Sequence, residues 1–367
     1  MGMERPLRIL QLLGPSTGGI RRHVAHLSSS LEERGHLVRV AGPSGVMEGV
    51  GRLDHVVEVP AGLDPRSAVR ARRDLTALAA GFDLVHAHGL KAGWVAALVR
   101  RRPPLVVSVH NLVLRGATGR SYRGLRMLEA ALPARVDAVI AVSGGVARRF
   151  SGSAGADRIS VVPPAGPAPD VRRTSAEVRA DLGIGPGEHL LVTAARLHPQ
   201  KGLDVLIDAV AALRDRVPGV RAVVFGEGPL EGELRARIEA LDLGRELHLA
   251  GSRASVADEL AAADVVVVPS RWESGPLVVF EALALGRPVV TTAVGAAPQV
   301  VIDGQTGRLV AVDDAAGLAR AVEEMLTEPA AAARMAAAGQ ELARQRFGPV
   351  TLVDGVEAVY RDVVGGS

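Results

Sequence analysis

The stretch VVVVPSRWESGPLVVFE, residues 265–281, decides the fold. Four consecutive valines read as a strand buried on both faces, the pattern of a parallel sheet covered by helices. The chain emerges at the carboxyl end through Pro269 and Ser270 into residues 271–274. A helix is then expected over 276–285, stopped by a left-handed Gly286. Pro276 suits the first helical position, where its missing N–H is no loss, with Ser274 or Gly275 as the N-cap. The amides at 275–278, together with the helix dipole, then favour an anion. Glu273 and Glu281 bracket this passage at different depths, so each can grip a separate hydroxyl pair of one extended ligand. Taken alone, the two read equally as a charged loop residue and a solvated helix glutamate.

Working outward, strands alternate with helices in both halves. Leu7–Leu13, Val38–Ala41, Asp83–His88, Leu105–Val109 and Ala138–Val142 read as strands in the first half, with helices at Ile20–Arg34 and Tyr122–Leu132. In the second half, strands are expected at 190–194, 221–225, 247–249, 265–268 and 289–291, and helices near 202–216, 229–241 and 254–262. Ala-rich helix fills 315–346, and a final helix spans Thr351–Val364 with Val353, Val356 and Tyr360 on one face. This spacing predicts an α/β protein of two doubly wound, Rossmann-like halves, with ligand crevices outside the carboxyl ends of the strands. Pro-rich Val161–Pro169 is the expected linker. It divides an N-terminal domain, 1–166, from a C-terminal domain, 167–349.

Composition narrows the function. The chain has 367 residues, too many for one comfortable core, and no apolar run long enough to span a membrane. It has no cysteine, which fits a cytoplasmic location without disulfide or thiolate chemistry. Residues 1–170 hold 23 Lys and Arg against 13 Asp and Glu, while the remainder holds 20 against 27. Such a basic half suits solvent or an anionic partner. With only 2% aromatic residues, stacking platforms for nucleic acid are scarce, and nucleic acid is not an expected partner. Arg70, Arg72, Arg73 and the run Arg100–Arg102 are candidates for peripheral contact with the inner membrane face.

Only two of the 43 cationic residues are lysine, Lys91 and Lys201. Lys201 follows Arg196 by five residues at the mouth of the 190–194 strand, and two such cations can clamp a diphosphate. Phe225-Gly-Glu-Gly-Pro-Leu230 and Ala250-Gly-Ser-Arg253 are further turns after strands. His86 and His88 share one strand face, an arrangement able to ligate a metal, but no third ligand is apparent nearby in sequence. His23, past the Gly18-Gly19 turn, reads as structural or as a contact to acceptor or phosphate.

Together these residues resemble the family-4 retaining glycosyltransferases of the GT-B fold. The resemblance runs through the Gly-Gly turn, the 83–88 strand, Arg196-x4-Lys201-Gly202, Gly226-Glu-Gly-Pro229, Glu273-x7-Glu281 and Gly304–Val310. It implies two Rossmann-like domains facing across a cleft, acceptor on the first and nucleotide sugar on the second, with the C-terminal helix (about 350–367) crossing back. By this likeness Arg196 and Lys201 hold the donor diphosphate and Glu273 meets sugar hydroxyls. Ser274, Gly275, Pro276 and Leu277 lie at the donor, and Glu281 binds ribose. Gly226, Gly228 and Arg253 line the nucleotide, Gly18 and Gly19 close over phosphates, and His110 approaches the transferred sugar. The implied activity is metal-independent, cofactor-free transfer from a nucleoside-diphosphate sugar, UDP-linked by preference, to an acceptor hydroxyl on a lipid, glycan or small molecule. A nucleotide-sugar 2-epimerase and a non-catalytic sugar-nucleotide-binding protein are the alternatives. Three positions depart from the family pattern. Pro164-Ala165-Gly166 replaces Asn-Gly, Gln299 replaces a frequent glutamate, and Pro276 removes one amide.

Overall fold

The computed structural model describes residues 5–16, 19–47, 50–62, 64–113, 121–165 and 169–365. The chain forms two compact units, Met1–Ala165 with Pro349–Ser367, and Gly166–Gly348. The first holds β1 (Arg8–Leu13), β2 (Leu37–Gly42), β3 (His55–Val56), β4 (Leu84–His88), β5 (Leu105–Val109), β6 (Ala138–Ala141) and β7 (Ile159–Val161). All pair in parallel, in the order β3-β2-β1-β4-β5-β6-β7. The second holds β8 (His189–Ala194), β9 (Val220–Phe225), β10 (Leu247–Leu249), β11 (Val265–Val268), β12 (Val289–Thr292) and β13 (Arg308–Val310). These are parallel too, in the order β10-β9-β8-β11-β12-β13. Strand order reverses between β1 and β4 in one sheet and between β8 and β11 in the other. At each reversal the flanking connections diverge and leave the carboxyl ends open.

The valine run behaves as its pattern requires. Val265 and Val267 enter one core layer, while Val266 and Val268 enter the layer on the opposite face. β4 and β5 are likewise buried at every position, so the alternation expected of a half-exposed strand is absent. Short β3, β7 and β13, of two or three residues, carry too few side chains to show a periodicity. They form because neighbouring strands offer unpaired edges. The Ala-rich segment is two helices, Ala315–Thr327 and Pro329–Arg346, broken where Pro329 cannot donate to the helical ladder.

Pro276 lies outside the helix rather than at its first position. Its ψ of 89° is non-helical, so Leu277 begins the helix Leu277–Ala284, and neither Ser274 nor Gly275 caps it. Pro276 supplies only its carbonyl, which accepts from the Val279 amide at 2.9 Å. Gly286 ends the helix at φ +63°, with Arg287 N–H donating to the Ala282 carbonyl, as a left-handed cap does.

The helix Pro349–Gly365 packs on the sheet of the first unit. Leu352, Val353, Val356, Val359 and Tyr360 join Leu7, Ile9, Val38, Leu84 and Val106 in one core layer. Burying a side chain of that size contributes roughly 1.5–3 kcal/mol. Polar contacts fix its register. Arg34 reaches Asp354 at 2.7 Å, and His36 Nε2 reaches buried Glu357 at 3.1 Å. Leu7 N–H donates to His36 Nδ1, so the His36 proton sits on Nε2 and is donated to Glu357. Glu357→Ala leaves that buried N–H without its acceptor, and the first unit should lose ~1–3 kcal/mol. Urea unfolding should show a lower midpoint, with Glu357→Gln, which keeps an acceptor, recovering most of it.

Candidate functional site

In the second unit, the carboxyl ends of the central strands gather the charged residues. The chain leaves β8 at Ala194 and places Arg196 exposed, with no side-chain hydrogen bond or ion pair among the described residues. A single 3-10 turn, Pro199–Lys201, follows, and Gly202 restarts the chain into the helix Leu203–Arg214. Gly202 has φ +63°, and a Cβ there would sit 2.1 Å from the Pro269 carbonyl oxygen. Glycine at 202 therefore lets this turn press against the end of β11.

Across that contact Lys201 meets Glu273. The ammonium lies 2.5 Å from Glu273 Oε1, which also accepts from the Ser270 hydroxyl at 2.7 Å. Both partners are largely sheltered from solvent, with side chains 17% and 9% exposed. An ammonium carries three donors, so one pairing leaves two for a ligand.

Arg271 aims the pair from behind. It grips Asp204 through two parallel bonds of 2.8 and 2.6 Å, reaches Asp313 at 2.6 Å and donates to the Pro199 carbonyl. Its hydrogen bond holds the Asp204 carboxyl below the usual carboxylate range, against the opposing effect of burial. Gln200 completes the junction, accepting from Arg271 N–H at 2.8 Å and donating its side-chain amide to the Trp272 carbonyl at 3.0 Å. Sequence reading missed Arg271, Asp204, Gln200 and Ser270. A carboxylate opening the 203–214 helix and an arginine beside Glu273 were the signals available.

Gly226 lies directly over the Arg196 loop. At φ +149°, its Cβ would fall 1.9 Å from the Ala195 carbonyl oxygen, and a Cβ on Gly228 would fall 2.4 Å from that of Leu197. Leu197 N–H donates to the Glu227 carbonyl at 2.9 Å, fastening the two turns together. Arg253 is exposed, paired with buried Glu259 and lying 5.0 Å over the Phe225 ring. Ser274, Gly275 and Leu277 are half-buried beside Glu273 and Pro276. The first helical amides, Leu277 and Val278, have no acceptor one turn earlier. Glu281 is buried in the second turn, at 4% exposure.

The first unit contributes a buried histidine cluster at its own order reversal. His86 and His88 belong to β4, His110 follows β5, and His23 lies on the helix Gly19–Glu33. The grouping differs from the one the sequence suggested: His23, His88 and His110 bring ring nitrogens within 4.8 Å of one another, and His86 is not among them. His88 Nδ1 and His110 Nε2 face each other as a hydrogen bond of 3.1 Å, which occupies the lone pair a metal would need. Burial lowers the pKa of His23 to about 4 and that of His86 to about 3, and holds His88 and His110 well below 6.5. All four are neutral at pH 7. Gly19 begins its helix with the Ser16 carbonyl accepting from Arg21. Gly18 and Gly166 lie outside the described residues. Of the six arginines proposed for a membrane, Arg102 is committed to Asp137 and two carbonyls, and the others are exposed.

Known proteins match both units. The profile described as "Glycosyltransferase Family 4" matches residues 17–165, and that described as "Glycosyl transferases group 1" matches 174–342. D-inositol 3-phosphate glycosyltransferase 1 of Catenulispora acidiphila is 31% identical over 96% of this chain and 93% of its own. D-inositol 3-phosphate glycosyltransferase of Actinosynnema mirum is 36% identical over 63% of this chain and 60% of its own. Among solved structures, Anabaena HepE in complex with UDP and glucose superposes with a TM-score of 0.83 at 24% identity, over 96% of this chain and 99% of that one. The chain belongs to glycosyltransferase family 4 and is a glycosyltransferase of the GT-B fold, built from two Rossmann-like α/β domains.

Proposed function

We propose that the enzyme transfers a glycosyl unit from a UDP-sugar to an acceptor hydroxyl, with retention of anomeric configuration and without a metal ion. The observation that carries this reading is the Lys201–Glu273–Ser270 cluster beside Arg196 and the Leu277 helix terminus. As the bond to the donor phosphate breaks, negative charge grows on the diphosphate. Lys201, Arg196 and the amides at 277 and 278 supply the opposing charge. Glu273, held by Lys201, presents acceptor oxygens to sugar hydroxyls, and Glu281, one helix turn deeper, takes the ribose. Gly226 and Gly228 line the nucleotide by bringing backbone close. On the first unit, Gly19 and His110 are the candidate contacts for the donor's phosphates and sugar. Arg253, turned toward Glu259, supports the nucleotide wall through Phe225 rather than as a direct cation.

The UDP preference is supported by the ligand of the Anabaena protein. The names of the two relatives make D-inositol 3-phosphate the first acceptor to try. No helix among the described residues is long and apolar enough to cross a membrane. A cytoplasmic enzyme touching anionic lipid through exposed Arg70, Arg72 and Arg73 fits that surface.

Incubation with UDP-, GDP- and dTDP-sugars should give transfer with UDP donors in EDTA, and anomeric proton couplings in the product should match the donor. An epimerised free sugar formed without acceptor would overturn the reading. Lys201→Ala should lower kcat on the order of 10³-fold; near-wild-type transfer would remove Lys201 from the phosphate clamp. Glu281→Ala should weaken UDP binding about 10-fold or more in calorimetry, the size of a lost charge-assisted hydrogen bond. Arg271→Ala touches no substrate in this reading, yet it should lower kcat by releasing the turn that aims Lys201.

A further inference from the structure

Three imidazoles from three elements converge at the carboxyl end of the first sheet. His88 ends β4, His110 follows β5, and His23 comes from the helix Gly19–Glu33. Ring centroids lie 5.3 Å apart for His88 and His110, 5.0 Å for His23 and His110, and 6.0 Å for His23 and His88. A tetrahedral zinc ion about 2.0–2.1 Å from each ring nitrogen sets those nitrogens about 3.3 Å apart and the ring centroids roughly 5.2 Å apart. His88 Nδ1 and His110 Nε2 already stand at 3.1 Å. All three rings offer nitrogens within 4.8 Å of one another, a spacing that rotation of the His23 side chain closes.

His23 adds an independent observation. Its Nδ1 is buried and has no hydrogen-bond partner among the described residues. Folded proteins rarely leave such a nitrogen unpaired, and a metal ion is one partner that imidazole takes. Burial keeps all three rings neutral at pH 7, so protons do not compete for their lone pairs. The bridge between His88 and His110 holds one proton, which the metal displaces. Whichever ring carries it, that proton moves to the other nitrogen of the same ring, and none is lost to solvent. For His88 the other nitrogen is Nε2, 2.7 Å from Gln11 Oε1. An imidazole that binds metal through one nitrogen is oriented when its other N–H donates to an amide oxygen. The groups behind Gln11 tolerate the change, because the Tyr360 and Ser108 hydroxyls in that network donate and accept equally.

We propose that His23, His88 and His110 form a binding site for a divalent cation of the zinc class, with Gln11 orienting His88 from behind. Three nitrogen ligands select borderline ions such as Zn2+ and Co2+ over Mg2+, and they leave the fourth tetrahedral position to water. His23 and His110 are each 6% exposed, which gives the ion an entry path. The bound ion occupies the His110 nitrogen, so it inhibits transfer rather than assisting it. That consequence rests on the reading of His110 as a contact to the transferred sugar; the binding of the ion does not.

Calorimetry of the full chain with ZnCl2, after treatment with EDTA and its removal, should show one ion bound per chain with a micromolar or lower Kd, and MgCl2 should show none. Co2+ should give the visible absorption bands of a four-coordinate ion. His23→Ala and His110→Ala should each weaken zinc binding on the order of 100-fold, and Gln11→Leu about 10-fold or more, with circular dichroism checking that each variant folds. Zinc should inhibit transfer over the concentration range that fills this site, and EDTA should restore it. Equal zinc affinity in wild type and the folded histidine variants overturns the proposal, because surface histidines such as exposed His248 then hold the ion. A six-coordinate cobalt spectrum in wild type overturns it too, whether or not the variants fold. Tight binding at the three histidines with unchanged kcat keeps the site and removes His110 from the sugar.

Discussion

Everything chemical in this protein depends on one constraint of parallel sheets. Strands that all run one way need crossovers, and crossovers of one hand force the strand order to reverse if both faces are to be covered. At a reversal, neighbouring strands send their chains to opposite faces, and the carboxyl ends between them stay uncovered. β8 and β11 deliver Arg196, Lys201, Ser270 and Glu273 to one such gap. β4 ends on His88 at the other, with Gln11 and His86 buried further back along β1 and β4. Polar residues cluster there because the fold leaves backbone amides and space that apolar side chains do not fill.

The two gaps hold their polar groups by different means. In the second unit the pairing is ionic and partly solvated, with Arg271 clamping Asp204 and Asp313 while Lys201 meets Glu273. Charges at such positions retain donors for a ligand, and a planar guanidinium fixes direction better than a flexible ammonium. The first unit uses neutral groups, since burial on both sheet faces makes an imidazolium costly there. A buried neutral network is stable only when every donor finds an acceptor. From Ser108 to His110 each buried side chain is hydrogen-bonded to the next.

Much of the architecture was legible in one dimension. The run Val265–Val268 announced a strand buried twice over, and Gly286 announced where the following helix stops, because both rest on local rules of side-chain alternation and backbone sterics. Pro276 misled. Its missing N–H suits the first helical position, yet its ψ of 89° places it before the helix, where the path between Glu273 and Leu277 decides the backbone. Histidine spacing misled similarly. His86 and His88 showed a shared strand face, but His23 arrives from a helix and His110 from the next strand.

By itself, the sequence determined the alternation of strand and helix, the two-unit α/β class and the identity of the motif residues from Arg196 to Glu281. These follow from periodicity and from motif residues at set spacings along one chain, which neighbouring elements barely alter. Tertiary structure alone decided that Arg271 would turn back to Asp204 while Lys201 turned to Glu273, and that Tyr360 would close a polar chain begun at Gln11. A charged or polar side chain has many potential partners in one dimension. Which one it takes depends on burial and distance, and those exist only once strands far apart in sequence lie side by side.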